Sequence, residues 1–289
     1  MLQEKKPSAQ ETQIVEATPA DYNALADFYN QNINIHRHLD WFSALDWIGS
    51  HPYLIETCGD RIQAVLCAVP ENEESAWVRA FGAMKLIDES ACWNRLLPLA
   101  VENLRHQGAK RLAALALHPW FNTVLKKAGL KNRHNIVVLE WQGEFPHESQ
   151  RNPEIILRPM HLVDLPAVEA IDRAAFPSLW QNSLSGLSKA FQQPGISTVA
   201  VKGKTIVGYQ ISTAMTIYGH LARLAVQPEE QHQGIAFALV HDLLKQFEHR
   251  GFWRVTVNTQ SDNRASLRLY QKFGFIRTKE EIKVYELQL

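Results

Sequence analysis

Apolar and polar positions in the second half of the chain follow two different periods, and the period changes at short breaker-rich stretches. IILRP (155–159) reads as a short strand, HLVDLPAVEAIDRAAF (161–176) as an amphipathic helix, and GISTVAVKGKTIVGYQIS (195–212) as two strands across a Lys-Gly-Lys turn. GHLARLAV (219–226) is a further strand. In FALVHDLLKQFEHR (237–250), Leu239, Leu243, Leu244 and Phe247 share one face of a helix, and Gly251 stands where a C-terminal glycine ends one. FWRVTVNT (252–259) alternates as a strand, NRASLRLYQKFGF (263–275) is a helix closed by Gly274, and KVYELQL (283–289) is a last strand. This order predicts an α/β (α+β) domain with a mixed, mostly antiparallel sheet flanked by helices.

An internal echo extends that reading to the first half. Asp21 and Ala24 recur as Asp164 and Ala167, and His106, Gly108 and Arg111 recur as His249, Gly251 and Arg254, all at an offset of 143 residues. The two windows lie far apart and keep one offset, so the chain is expected to hold two similar domains in tandem, 13–141 and 155–289. The 289 residues suffice for two cores. QGEFPHESQRNPE (142–154), polar and with two prolines, reads as the linker.

Composition narrows the partners. Thirty basic residues balance thirty acidic ones, which leaves no basic field for nucleic acid or an anionic membrane. The three cysteines, Cys58, Cys67 and Cys92, form no C-x-x-C pair, so neither a disulfide framework nor a metal site is expected, and a cytoplasmic setting fits. Residues 1–12 are polar, lack an apolar leader core and read as a flexible tail. No run approaches a membrane span. Oligomeric state is not legible.

Chemistry concentrates at residues 226–236, VQPEEQHQGIA, between the strand and the long helix. The first amides of a helix lack intrahelical acceptors, and the helix dipole adds positive potential there. Gly234 lets an anion approach the backbone, and Ala236 stays small. The stretch lacks the spacing, lysine and hydroxyl of a nucleotide P-loop, so a diphosphate without a magnesium clamp is the expected ligand.

QHQGIA resembles the Q/R-x-x-G-x-G/A signature of the GCN5-related N-acetyltransferase (GNAT) superfamily. LARLAVQP before it and NRASLRLYQKFGF after it are similar to the flanking segments of the same family, the latter to N-x-x-A-x-x-x-Y-x-x-x-G-F. The resemblance covers roughly 155–289 and implies acetyl-coenzyme A as donor and direct transfer to a primary amine, of a small molecule or a peptide N-terminus. It implies diphosphate binding at Gln231, His232, Gln233, Gly234, Ile235 and Ala236. The pantetheine arm would lie between Leu224, Ala225 and Val226 on one strand and the strand ending at Asn258 on the next, with an amide near Ala225 facing the thioester oxygen. Tyr270 stands at the family's tyrosine position and would protonate the leaving thiolate. Asn263 either caps its helix or contacts the coenzyme. A glutamate found in the ribosomal-protein-acetylating branch is replaced here by Asn258. His220 stands where the histone-acetylating branch has its glutamate, and is either the base or simply the start of a strand; Tyr218 and Glu281 are weaker candidates. FPSLW (176–180) is similar to the FPW of the ribosomal-protein branch, and otherwise reads as an aromatic helix end packed on the sheet.

The first half lacks this chemistry. Asp88 and Glu89 stand where a phosphate would come, Trp93 where Ala236 stands and, after a two-residue gap, Leu125 where Tyr270 stands, which marks 13–141 as a degenerate copy. HRH (36–38) is not at metal spacing and reads as surface, while Trp41 and Trp47 read as core. Two other classes remain open: a non-catalytic acyl-coenzyme A sensor, which would not need Tyr270, and a transferase resembling mycothiol synthase with another acceptor.

Overall fold

A computed structural model describes residues 12–31, 33–85, 87–141, 143, 145, 152–215 and 218–289. Of the tail only Thr12, and of the linker only Gly143, Phe145 and Asn152 to Glu154, fall within these; the rest of both lies outside the described residues. The chain forms two compact units: residues up to Lys131 with Tyr285–Leu289, and Asn132–Val284.

The first unit runs β1 (Thr12–Glu16), α1 (Tyr22–Asn30), β2 (Ile33–Arg37), β3 (Tyr53–Cys58), β4 (Arg61–Pro70), β5 (Ser75–Met84), α2 (Glu89–His106), β6 (Arg111–Ala116) and α3 (Pro119–Lys127). Its sheet has the order β1-β3-β4-β5-β6, antiparallel except for β5 beside β6. The second unit holds β7 (Lys131–Trp141) apart from its first residue, β8 (Ile155–Pro159), α4 (Leu165–Ala175), α5 (Leu184–Phe191), β9 (Ser197–Lys202), β10 (Thr205–Met215), β11 (Tyr218–Val226), α6 (Ile235–His249), β12 (Arg254–Gln260), α7 (Arg264–Lys272) and β13 (Ile276–Gln288) up to Val284. Its sheet has the order β7-β12-β11-β10-β9-β8, with β11 beside β12 as the parallel pair. Leu239, Leu243, Leu244 and Phe247 are fully buried, as their helical spacing requires. The Phe247 ring packs straight onto Gly219, where a Cβ would come within 2.5 Å of it, so α6 seats tightly on β11. The helix α5 does not stand out in the sequence, because Gly186 interrupts a weak apolar pattern; Ser183 starts it by accepting a hydrogen bond from the Gly186 amide.

The offset of 143 residues runs through the geometry of both units. The strands β1 and β8 correspond residue for residue, as do the 3-10 turns Pro19–Asp21 and Leu162–Asp164. Parallel pairing starts at Ser75 beside Arg111 and at Tyr218 beside Arg254. The strand that begins each pair is bulged at equivalent residues, Arg79 and Ala222. A bulge bends its strand, and in both units the parallel pair comes apart just before it, after Trp77 and Ala113 and after Leu221 and Val257.

The copies then diverge. In the first unit β2 takes up the edge of β5 past the bulge, pairing antiparallel with Ala80–Met84, and the His38 amide donates to the Arg79 carbonyl. The segment at the same offset in the second unit, Phe176–Trp180, stays off the sheet and forms a 3-10 turn.

The insertion of β2 corrects the surface reading of residues 36–38 for His36, while Arg37 stays exposed as expected and His38 is half-buried. His36 has no exposed surface and stacks on Phe121 at 4.2 Å; His38 lies against Trp77. Burial disfavours the imidazolium and lowers the His36 pKa to about 3. Between about pH 6.5 and 3 the unfolded chain therefore takes up a proton that folded His36 refuses, and stability falls with pH by up to about 1.4 kcal/mol per unit. The urea midpoint is expected to drop from pH 7 to pH 5, and His36→Gln to flatten that slope. An unchanged slope would place the acid sensitivity elsewhere.

Candidate active site

Six consecutive main-chain N–H groups, from His232 to Phe237, have no acceptor among the described residues. The chain reaches this state in steps. The amide of Gln227 is the last to bond back to β10, at Val207, and Pro228–Glu230 form a 3-10 turn. His232 then takes φ 62° and Gly234 φ 80°, so the backbone curls before α6 begins. Gly234 occupies the N-cap without a side chain to cap it, and the first helical bond is closed by Ala238. Gln231 donates to the Val226 carbonyl at 3.2 Å, and Lys202 bonds both Glu230 and Gln233, which braces the loop from outside. Gln231, His232 and Gln233 are exposed, Gly234 and Ala236 half-buried, and Ile235 is buried against Val226 and Leu239. An anion placed before these amides meets aligned donors and the helix dipole together.

The first unit treats the same junction differently. Asp88 caps α2 and accepts from the Ser90 and Ala91 amides. Glu89 accepts from the Asn34 side chain, and Trp93 is fully buried. A cap of this kind contributes about 1 kcal/mol and uses up the donors an external anion would need.

Past Leu221 and Val257, β11 and β12 no longer pair, which opens a wedge between Ala222–Val226 and Asn258–Gln260. Val207 receives the Gln227 amide, and the antiparallel alternation counted back from there spends the amides of Ala225 and Arg223 on β10. Leu224 and Val226 present their main chain to the wedge. The amide expected near Ala225 is thus that of one of these neighbours, because Ala225 itself bonds to Tyr209. Asn258 is the first β12 residue beyond the last parallel pair; Asn263 caps α7, accepting from the Ser266 amide at 3.1 Å.

Tyr270 lies on the buried face of α7, 4% exposed, with its ring 5.4 Å from Phe275. Burial alone pushes its phenol well above 10, so it holds its proton at neutral pH. His220 lies on β11 beside Thr256 of β12, whose hydroxyl is 2.8 Å from Nδ1. Burial lowers its pKa and the Thr256 contact opposes this, leaving a neutral imidazole at pH 7. When Nδ1 carries the proton, Thr256 accepts it and Nε2 keeps a free lone pair. Tyr218 packs on Trp253 and Arg254, while Glu281 pairs with Arg277 on β13.

The sequence pattern does not predict the buried ionic cluster beside β11. Asp172 of α4 is fully buried and takes both nitrogens of the Arg223 fork, at 2.7 and 2.8 Å. Tyr209 donates to the same carboxylate, as does the Asn182 amide. Removing either ion would strand the other and cost about 3–5 kcal/mol. The available signal was a carboxylate on the apolar face formed by Leu165, Val168 and Ile171, and an arginine inside LARLAV.

Residues 165–275 match the family model described as Acetyltransferase (GNAT) family. The chain is 30% identical over 99 residues to N-alpha-acetyltransferase 30 of Schizosaccharomyces pombe, a stretch that makes up 32% of this chain and 66% of that protein. It is 25% identical over 116 residues, 40% of this chain and 77% of the other, to the [ribosomal protein bS18]-alanine N-acetyltransferase of Escherichia coli. A tandem GNAT protein from the clavulanic acid biosynthesis pathway shares the fold, with a TM-score of 0.61 at 12% identity over 96% of this chain and 98% of that one. The second unit thus belongs to the GNAT family of acetyltransferases, and the chain as a whole shares the fold of a tandem GNAT protein. No helix among the described residues is long and apolar enough to cross a membrane.

Proposed function

We propose that the second unit transfers an acetyl group from acetyl-coenzyme A directly to a primary amine, with a peptide N-terminus as the favoured acceptor class. The observation that carries this reading is the run of six open amides at the mouth of a strand wedge. The diphosphate sits on the amides of 232–237, and the pantetheine amides pair with Leu224 and Val226 as an added strand would. His220 Nε2 removes the proton from the incoming ammonium, and the free amine attacks the thioester carbon. A main-chain amide of the wedge meets the carbonyl oxygen as it gains charge. The C–S bond then breaks, and Tyr270 gives its proton to the departing thiolate. The names of the two sequence relatives, an N-alpha-acetyltransferase and a ribosomal-protein alanine N-acetyltransferase, favour the peptide acceptor. The presence of a tyrosine at position 270, which a sensor would not need, favours an enzyme.

The test is thiol release from acetyl-coenzyme A against a panel of N-terminal peptides and small amines. Turnover with small amines alone would remove the peptide reading, and coenzyme binding without any transfer would support the sensor.

A pH profile probes the base. Because burial lowers the His220 pKa, the limb it contributes to kcat/KM is expected below pH 6.5, with a rise above that set by the amine's own deprotonation. His220→Gln is expected to erase the lower limb and lower the rate. A profile with the limb intact assigns deprotonation to a bound water.

A further inference from the structure

We propose that Arg223 is a positioning residue that fixes Phe176–Trp180 as the wall of the acceptor side, an inference that rests on the transferase reading above. Leu221 packs among the residues under α6, so the strand alternation turns His220 to the opposite face of the sheet. The bulge at Ala222 adds one residue and brings Arg223 round to the His220 face, where it meets Asp172 of α4. From that place Arg223 does three things at once. It bonds Asp172 with two nitrogens, donates to the Trp180 carbonyl at 2.5 Å, and lays its guanidinium over the Phe176 ring at 3.6 Å. One planar fork thus ties both ends of the FPSLW segment to the strand whose next residues line the wedge. Tyr209 and the Asn182 amide hold Asp172 in turn, so the carboxylate that aims Arg223 is itself fixed.

The first unit shows the segment without this clamp. At the offset of 143 residues, Tyr29 stands for Asp172, Leu66 for Tyr209 and Ala80 for Arg223. There the equivalent segment, Ile33–Arg37, has left the helix end and become β2, paired with Ala80–Met84. An acceptor amine that reaches His220 must come along the face the clamped segment borders, so the clamp shapes acceptor binding and leaves the six open amides untouched.

The test uses the full chain with Arg223→Lys and Arg223→Met. Lysine keeps a charge for Asp172 but cannot bond it in a fork, cover Phe176 and reach Trp180 together. The methionine variant is used if it melts as a single folded species. Two readouts are needed, amide hydrogen exchange at 176–182 and steady-state kinetics with the panel member that the wild type acetylates fastest, peptide or small amine. Exchange at 176–182 is expected to rise roughly tenfold in Arg223→Lys while 232–237 are unchanged, and the acceptor KM to rise about tenfold with kcat and coenzyme Kd little altered. Unchanged exchange or an unchanged acceptor KM would overturn the proposal. A coenzyme Kd rising in step with the acceptor KM would also overturn it, by placing the fault in β11. If the wild type acetylates only small amines, the peptide reading fails while this test stands.

Discussion

Tyr270→Phe is expected to slow acetyl transfer by about 10²–10⁴, or roughly 3–5 kcal/mol in the barrier, while leaving coenzyme affinity and folding nearly unchanged. The ring stays in place among Val257, Phe273 and Phe275, so packing is kept. Only the oxygen is lost. Burial raises its pKa, so the phenol is protonated at neutral pH. The measurement is single-turnover thiol release with calorimetric coenzyme affinity alongside. If the chemical step, shown to be rate-limiting, runs as fast in the variant as in the wild type, the tyrosine serves packing and the thiolate leaves unassisted.

Gly234→Asp is expected to abolish coenzyme binding. Residue 234 has φ 80°, a region in which aspartate is among the better tolerated L-residues. The fold should therefore persist at a modest cost. The new carboxylate would sit at the N-cap of α6 and accept from the amides that are open in the wild type, as Asp88 does for α2. It also repels a diphosphate. Calorimetry should show one coenzyme site per chain in the wild type and none in the variant, with circular dichroism unchanged. Two sites in the wild type, or unaltered affinity in Gly234→Asp, would refute the placement of the diphosphate.

Local signals made much of this site legible. The turn at 231–236, the helix after it and the α7 helix carrying Tyr270 each follow from spacing within a dozen residues, and the structure forms them at nearly the expected bounds. The constant offset likewise survives in the bulges and pairing registers of both units. What stayed hidden depends on distant partners. Asp172 and Arg223 lie 51 residues apart, and each looks like a flaw in its own apolar pattern until the two are seen to neutralise each other. The strand β2 reads INIHR, a fair alternation, but nothing nearby says that its partner is the far end of β5. The burial of His36 follows only from that pairing; in the sequence the charged-looking HRH resembles surface, which Arg37 is.

The place of β2 also fixes how reversible the divergence of the two copies is. In the second unit the wedge is bounded by side chains and a turn that single substitutions can alter. In the first it is filled by main chain, five residues hydrogen-bonded along the edge of β5. Exchanging Asp88 for glycine, or Trp93 for alanine, would uncap and thin α2 yet leave that edge occupied. Opening a second wedge would need a strand to be withdrawn and rebuilt as a turn, a change of topology that point mutations cannot approach one step at a time. In the first copy the backbone itself, through the pairing of β2 with β5, occupies the place of the wedge.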